Sequence, residues 1–215
     1  MIYITGDMHG DPEALNERKL GGLKKGDKLI VTGDFGFVWD GSKEEQKRLE
    51  KLKKRKYDIL FVEGAHENFE LLHGYPEADL YLGKAYKLAR NIYCLKRGEV
   101  YYIDGKTVLA LGGGRPPYDD STDETPAMPT DKELQYAVDN MNRLNRKVDL
   151  IITHEAPASV KRLVDREAVV NDLNLFLDTM LHNIRCDKWF FGSLHQDRQV
   201  TDRLICVFEE VHKIN

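Results

Sequence analysis

A layered α/β fold with mixed sheets is predicted by three features of this 215-residue chain. Short apolar runs alternate with longer polar stretches of helical spacing, the pattern of strands and helices stacked in layers. Asp104-Gly105 stands between two β-rich runs and reads as a tight hairpin turn, which brings antiparallel strands into the sheets. Apolar residues make up 41% of the chain, enough to build one sizeable core, and no internal repeat is visible. The chain is read as a single domain, residues 1–215.

Taken in order, the expected strands are 2–5, 28–32, 59–62, 92–95, 100–103, 107–111, 150–153, 189–191 and 204–208, each a short β-rich run bounded by turn residues. Residues 43–56 carry eight basic side chains and read as a solvated helix rather than a nucleic-acid patch. Glu44 with Arg48 and Glu50 with Lys54 are spaced for ion pairs one turn apart, and Leu49 and Leu52 supply a narrow buried stripe. Segment 112–129 has three glycines, four prolines and no period, and is expected to be a mobile surface loop. A helix is expected from Thr130, where Thr130 and Glu133 form a capping-box pattern and Leu134, Ala137, Val138, Met141 and Leu144 recur at helical spacing. A further helix places Leu173, Phe176, Leu177 and Met180 on one face.

The apolar runs are far shorter than the roughly 20 residues of a membrane helix, so no membrane partner is expected. Met1 runs directly into a strand-like segment with no basic and apolar leader, which places the chain in the cytoplasm. Cys94, Cys186 and Cys206 are odd in number and set among apolar residues, which reads as buried thiols in a reducing compartment. A net charge of −4 gives no overall field for a polyanion, so nucleic acid is not an expected partner.

Five expected strands give out onto a polar, metal-competent side chain: Thr5-Gly6-Asp7-Met8-His9, Thr32-Gly33-Asp34, Val62-Glu63-Gly64-Ala65-His66, Ile152-Thr153-His154 and Phe191-Gly192-Ser193-Leu194-His195. Glycine lets the chain turn off a sheet while the rigid strand fixes the next side chain, so ligands from distant positions can converge at strand ends. Carboxylate and imidazole donors without thiolates suit Mn²⁺, Fe or Zn²⁺. A single Asp after Gly is more often a turn residue, and a lone His more often a surface or satisfied core residue. Five occurrences together reverse that weighting. His73, His182 and His212 fall in no motif and read as structural or surface residues.

In this order the motifs resemble those of the calcineurin-like metallophosphoesterases, D-x-H, G-D-x-x-D, G-N-H-E/D, a lone H after a strand, and G-H-x-H, from Asp7 to His195. The resemblance implies a four-layer sandwich of two mixed β-sheets flanked by helices, with a binuclear metal centre at the strand ends. It implies a first metal site of Asp7, His9, Asp34 and His195. A second would use Asp34 as bridge with His154, but Ala65 stands where the family has Asn and Ser193 where it has His. The expectation is therefore one tightly held divalent transition metal, Mn²⁺ first and Fe or Zn²⁺ next, with a weak or empty second position.

The resemblance makes His66 and Asp34 the catalytic pair, with His66 protonating the leaving group or stabilising its charge. Phe37 replaces the Asp that orients this histidine in the family, leaving Asp40 or Glu67 as substitutes. Arg115, after three glycines, is a candidate for gripping a substrate phosphate. The expected activity is hydrolysis of a phosphomonoester or phosphodiester by metal-activated water, on a phosphorylated small molecule or nucleotide-like substrate, weakened by the missing ligands. The alternative is a catalytically degenerate protein-binding scaffold of the same fold. A nuclease would need a broad basic surface near His66, which the composition does not offer.

Overall fold

Residues 1–15, 20, 22–116 and 125–214 are described by the computed structural model. Along the chain come β1 (Ile2–Thr5), β2 (Lys28–Val31), α1 (Lys43–Lys53), β3 (Asp58–Phe61), α2 (Phe69–His73), β4 (Glu77–Leu80), β5 (Gly83–Ala89), β6 (Ile92–Leu95), β7 (Val100–Ile103) and β8 (Lys106–Leu111). They continue as α3 (Asp131–Arg143), β9 (Lys147–Thr153), α4 (Ala158–Val164), α5 (Asp172–Asn183), β10 (Arg185–Phe191), β11 (Arg198–Gln199), β12 (Leu204–Cys206) and β13 (His212–Ile214). One sheet has the order β13-β1-β2-β3-β6-β5-β4 and the other β11-β12-β10-β9-β8-β7.

Side-chain alternation along the strands divides the interior into three apolar layers. Ile4, Ile30 and Leu60 of the first sheet meet Val108, Ala110, Ile152 and Phe190 of the second, forming the core between the sheets. The alternate residues Leu29, Val31, Ile59 and Phe61 face outward onto Leu49 and Leu52 of α1 and Leu72 of α2. On the far side Leu109, Ile151, Trp189 and Phe191 pack against Met141, Val160, Leu173, Leu177 and Met180 of α3, α4 and α5. Helix, sheet, sheet and helix make the four layers the motifs imply.

Both sheets are mixed. β1, β2, β3 and β6 run parallel, as do β8, β9, β10 and β12, while the hairpins at the edges are antiparallel. Parallel strands aim their C-terminal ends the same way, and the two sets meet at one end of the sandwich. Gly6 N–H donates to Phe208 O at 3.1 Å, and Gly113 N–H to Glu63 O at 2.7 Å, joining the ends of one sheet to those of the other. All five metal-competent motifs leave strands at this end.

The Asp104-Gly105 turn joins β7 to β8, with φ of 49° and 82° at the two residues. The capping box of α3 is present: Thr130 Oγ1 accepts from Glu133 N–H, and Glu133 Oε2 accepts from Thr130 N–H at 2.7 Å. Other expectations change. β4, β5, β11 and β13 were not expected: β4, β11 and β13 are short edge strands, and β5, between β4 and β6, mixes polar with small residues and is only partly buried. β9 and β10 each begin earlier than expected, because their first halves are mostly polar and only partly buried, and β12 ends at Cys206.

On α1, Glu50 pairs with Lys53 at 2.6 Å rather than with Lys54, which caps the helix, and Glu45 is buried. The described ends of segment 112–129 are anchored to the body of the fold. Gly114 N–H donates to Ala127 O, Ala127 is buried, and Arg97 donates to the carbonyls of Pro126 and Met128. Residues 117–124 of that segment lie outside the described residues. Cys94 and Cys206 are buried and Cys186 is half-buried, all three as free thiols. Among the described residues no helix is long and apolar enough to cross a membrane.

Candidate metal centre

Two glycines let the strand ends close on one another. A Cβ on Gly192 would lie 2.2 Å from Asp7 Oδ1, and one on Gly64 1.9 Å from Asp34 Oδ1, so only hydrogen permits these approaches. The chain then turns sharply: His9, Asp34, Ser193 and His195 have φ of 48°, 43°, 68° and 48°, a left-handed conformation that costs about 1–2 kcal/mol for a residue with a side chain. Concentration of such residues where five strand ends meet marks a place where position outranks local comfort.

The result is a cluster in which one ligand atom from each of Asp7, His9, Asp34 and His195 lies within 4.8 Å of the others. The carboxylates form its buried floor and the two imidazoles its exposed lip. His9 Nε2 and His195 Nε2 are 3.0 Å apart, His195 Nε2 is 3.3 Å from Asp7 Oδ2, and His9 Nδ1 is 3.9 Å from Asp34 Oδ2. Backbone fixes the floor: Ser193 N–H donates to Asp7 Oδ2 at 2.9 Å and His66 N–H to Asp34 Oδ1 at 2.8 Å.

His154 is buried beside this cluster. Its Nδ1 hydrogen-bonds the Thr32 carbonyl at 3.0 Å, which makes Nδ1 the protonated nitrogen and directs Nε2 to Asp34 Oδ1, 3.7 Å away. Imidazoles that ligate metals are oriented in this way by a backbone carbonyl.

The charges are strongly coupled. Burial works against the His154 imidazolium, but Asp34 and Asp7 outweigh it and lift this group to about 10. Burial likewise opposes ionisation of Asp7 and Asp34, yet His154 beside both, with His195 at Asp7 and His66 at Asp34, holds each carboxyl below the usual range. His66 is raised by its hydrogen bond to Asp34, and His195 by its bond to Asp7. Without a bound cation, protons on the histidines supply the positive charge that the carboxylates demand.

His66 Nδ1 lies 3.0 Å from Asp34 Oδ2, so its ring is oriented by Asp34 itself. Neither substitute considered from the sequence does this. Asp40 is exposed and accepts from Ser42 N–H, while buried Glu67 accepts from the N–H groups of Phe35 and Gly36 at 2.8 and 3.3 Å. Burial first, and then Asp34, push the Glu67 carboxyl up to about 8. Phe37, where an aspartate was expected by resemblance, is fully buried and its ring lies 4.8 Å from that of Phe35.

Ala65 is buried between Gly64 and His66, both of which touch Asp34, and it brings no donor there. Ser193 serves Asp7 through its backbone. Arg115 is half-buried and directly follows Gly114, where a Cβ would come 3.1 Å from the His154 ring. Of the other histidines, His73 Nε2 bonds the buried Glu63 carboxylate at 2.6 Å, a structural role.

Sequence comparison decides the family. Residues 1–197 match the family model of the calcineurin-like phosphoesterases. The chain belongs to that family. A phosphopantetheinyl hydrolase from Mycobacterium tuberculosis, known from its crystal structure, is similar over 96% of this chain and 87% of its own, at 15% identity and a TM-score of 0.46. No curated protein matches in sequence.

For this calcineurin-like phosphoesterase, membership implies divalent metal, and the residues present fit one. Asp7 Oδ1 is buried and has no hydrogen-bond partner among the described residues; His154 Nδ1, 3.5 Å away, is turned to the Thr32 carbonyl. Two carboxylates and two imidazoles around one point are the mixed oxygen and nitrogen set of a borderline transition metal. The phosphoesterase is metal-dependent by family, and its candidate ligands converge.

Proposed function

We propose that the chain hydrolyses a phosphomonoester or phosphodiester, with Asp7, His9, Asp34 and His195 holding one tight divalent transition ion, Mn²⁺ before Fe or Zn²⁺. The observation that carries this reading is the convergence of those four side chains within 4.8 Å. A bound ion supplies Lewis acidity toward a phosphoryl oxygen and toward the attacking water.

The chain's own residues do the rest. Asp34 serves two tasks, as ligand and as the partner that turns His66. Because His66 Nδ1 faces Asp34, Nε2 is left for the leaving-group oxygen, and the hydrogen bond to Asp34 raises the pKa of the ring, which favours the protonated form a general acid needs. Arg115 is assigned to a substrate phosphate oxygen through its guanidinium. His154 Nε2 facing Asp34 is the surviving half of a second metal position, which Ala65 and Ser193 leave without two donors. That position is weak or empty, and turnover is slow in consequence.

The test is hydrolysis of an aryl phosphodiester with added Mn²⁺. Activity that disappears in Asp34→Asn supports the enzyme. The missing donors also favour a second reading, a scaffold of the same fold that binds a protein and does not turn over, and absence of activity at every metal concentration would establish it over the first. Ala65→Asn combined with Ser193→His then reads the second site. Metal content should rise from about one toward two ions per chain, with faster turnover; unchanged content and rate would contradict the assignment.

A further inference from the structure

A cleft of about 370 Å³ opens beside the metal cluster, lined by His9 and His66 on one side and by Trp39, Asp40 and Arg48 on the other. Its volume suits one small organic group rather than a polymer. Since His66 faces it, the cleft stands where the leaving group of an ester would sit, if the phosphoesterase reading holds.

Trp39 is 51% exposed, although large aromatic side chains are costly to leave in water. Its backbone is nonetheless clamped. The buried Glu45 carboxylate accepts from the N–H groups of Trp39, Asp40 and Gly41 at 2.6, 2.8 and 3.2 Å, and Asn68 Nδ2 donates to Trp39 O at 2.6 Å. Asn68 also caps α2, two residues after His66. The loop that presents the indole is thus tied to α1 and to the N-cap of α2, the helix that follows His66. Ordering cost is met on folding and need not be met again on binding.

The second observation is Arg48. Arg48 lines the same cleft, and its Nε is buried with no hydrogen-bond partner among the described residues. Asp40 supplies a carboxylate beside it. Apart from the indole the walls are polar, which disfavours an aliphatic chain. A flat ring whose edge carries both donors and acceptors uses every feature: the π-face for stacking, Arg48 for an acceptor and Asp40 for a donor.

We propose that this cleft binds a heteroaromatic leaving group of the nucleoside class, stacked on Trp39. Binding in this cleft can be measured without turnover. Trp39 and Trp189 are the chain's two tryptophans, and Trp189 is buried, so stacking is read from the fluorescence of Trp39.

The experiment titrates the Mn²⁺-loaded full chain with adenosine 5′-phosphate and with ribose 5-phosphate, by stopped-flow fluorescence before turnover and by calorimetry. Adenosine 5′-phosphate should quench and bind about 5- to 100-fold more tightly than ribose 5-phosphate, the range of base–aromatic stacking. That ratio should collapse toward one in Trp39→Leu and be largely retained in Trp39→Phe, with circular dichroism checking that both variants fold. Equal affinities in the starting protein, or a ratio that survives Trp39→Leu, would overturn the proposal. Base-selective binding without any ester hydrolysis would support the cleft and sink the catalytic reading; hydrolysis without base selectivity would do the reverse.

Discussion

Gly64 leaves no space for a methyl group beside Asp34 Oδ1. Gly64→Ala must therefore displace either the carboxylate or the turn, and metal affinity should fall by 10-fold or more, in line with losses of about 10- to 100-fold for disturbed groups around metal ligands. A calorimetric titration with Mn²⁺ checks it, and unchanged affinity would show that Asp34 is not held by this turn. His66 makes a separate prediction. Its proton is available below its raised pKa and lost above it, so the rate should fall on the alkaline side, and His66→Ala should remove that limb while lowering kcat by about 10²- to 10⁴-fold. A pH–rate profile with the limb intact in the variant would assign it elsewhere. At this scale the residue types and their order were readable in the sequence, because glycine and metal-competent side chains are local signals. The orienter of His66 was not, since Asp34 Oδ2 reaches it across the fold. Trp39 and Arg48 were equally hidden, as neither belongs to a motif.

The β4–β5 hairpin shows why some elements escape a sequence reading. Its turn is Tyr81-Leu82, with φ of 48° and 70°, where glycine or asparagine is the usual signal. Tyr81 has a reason to be there: its hydroxyl donates to Asp58 Oδ2 at 2.8 Å. Leu82 is 91% exposed and has none. Leu82→Gly should relieve about 1–2 kcal/mol of backbone strain against roughly 0.5–1 kcal/mol of added unfolded-state entropy, a net gain below about 1.5 kcal/mol. Thermal unfolding should move up by about 2–4 °C per kcal/mol in a chain of this size, and a fall would mean the turn is not strained. By contrast α3 was legible residue by residue, because its capping box and apolar stripe are both local in sequence. Strands β9 and β10 were legible only in their buried halves, where apolar runs are continuous.

Across the whole molecule, two parallel strand sets aimed at one end of a sandwich gather carboxylates and histidines into a buried, highly charged site, and that arrangement couples stability to pH. His154 is lifted from 6.5 to about 10, so its contribution is complete below pH 6.5 and is lost as pH rises through 10. Glu67 is lifted from 4.5 to about 8, so its contribution is complete below pH 4.5 and is lost as pH rises through 8. Both slopes have the same sign. Asp7 and Asp34, held below 3.8, act the other way, and their contribution is lost only as pH falls below that value. Metal-free protein should therefore melt at progressively lower temperature from pH 6 to pH 9, and a saturating divalent cation should flatten the fall, since it takes over the charge the protons supply. Parallel slopes with and without cation would separate the histidines from the metal.

The sandwich itself could be anticipated from motif order, whereas the meeting of the two sheets at one end is a property of topology that no local pattern carries. Metal analysis tests the central claim most directly: purified protein equilibrated with Mn²⁺ and passed through a desalting column should retain about one ion per chain, and Asp7→Asn and His195→Ala, from opposite ends of the sequence, should each abolish that retention. Retention unchanged in both variants, or no retained ion in the starting protein, would contradict it.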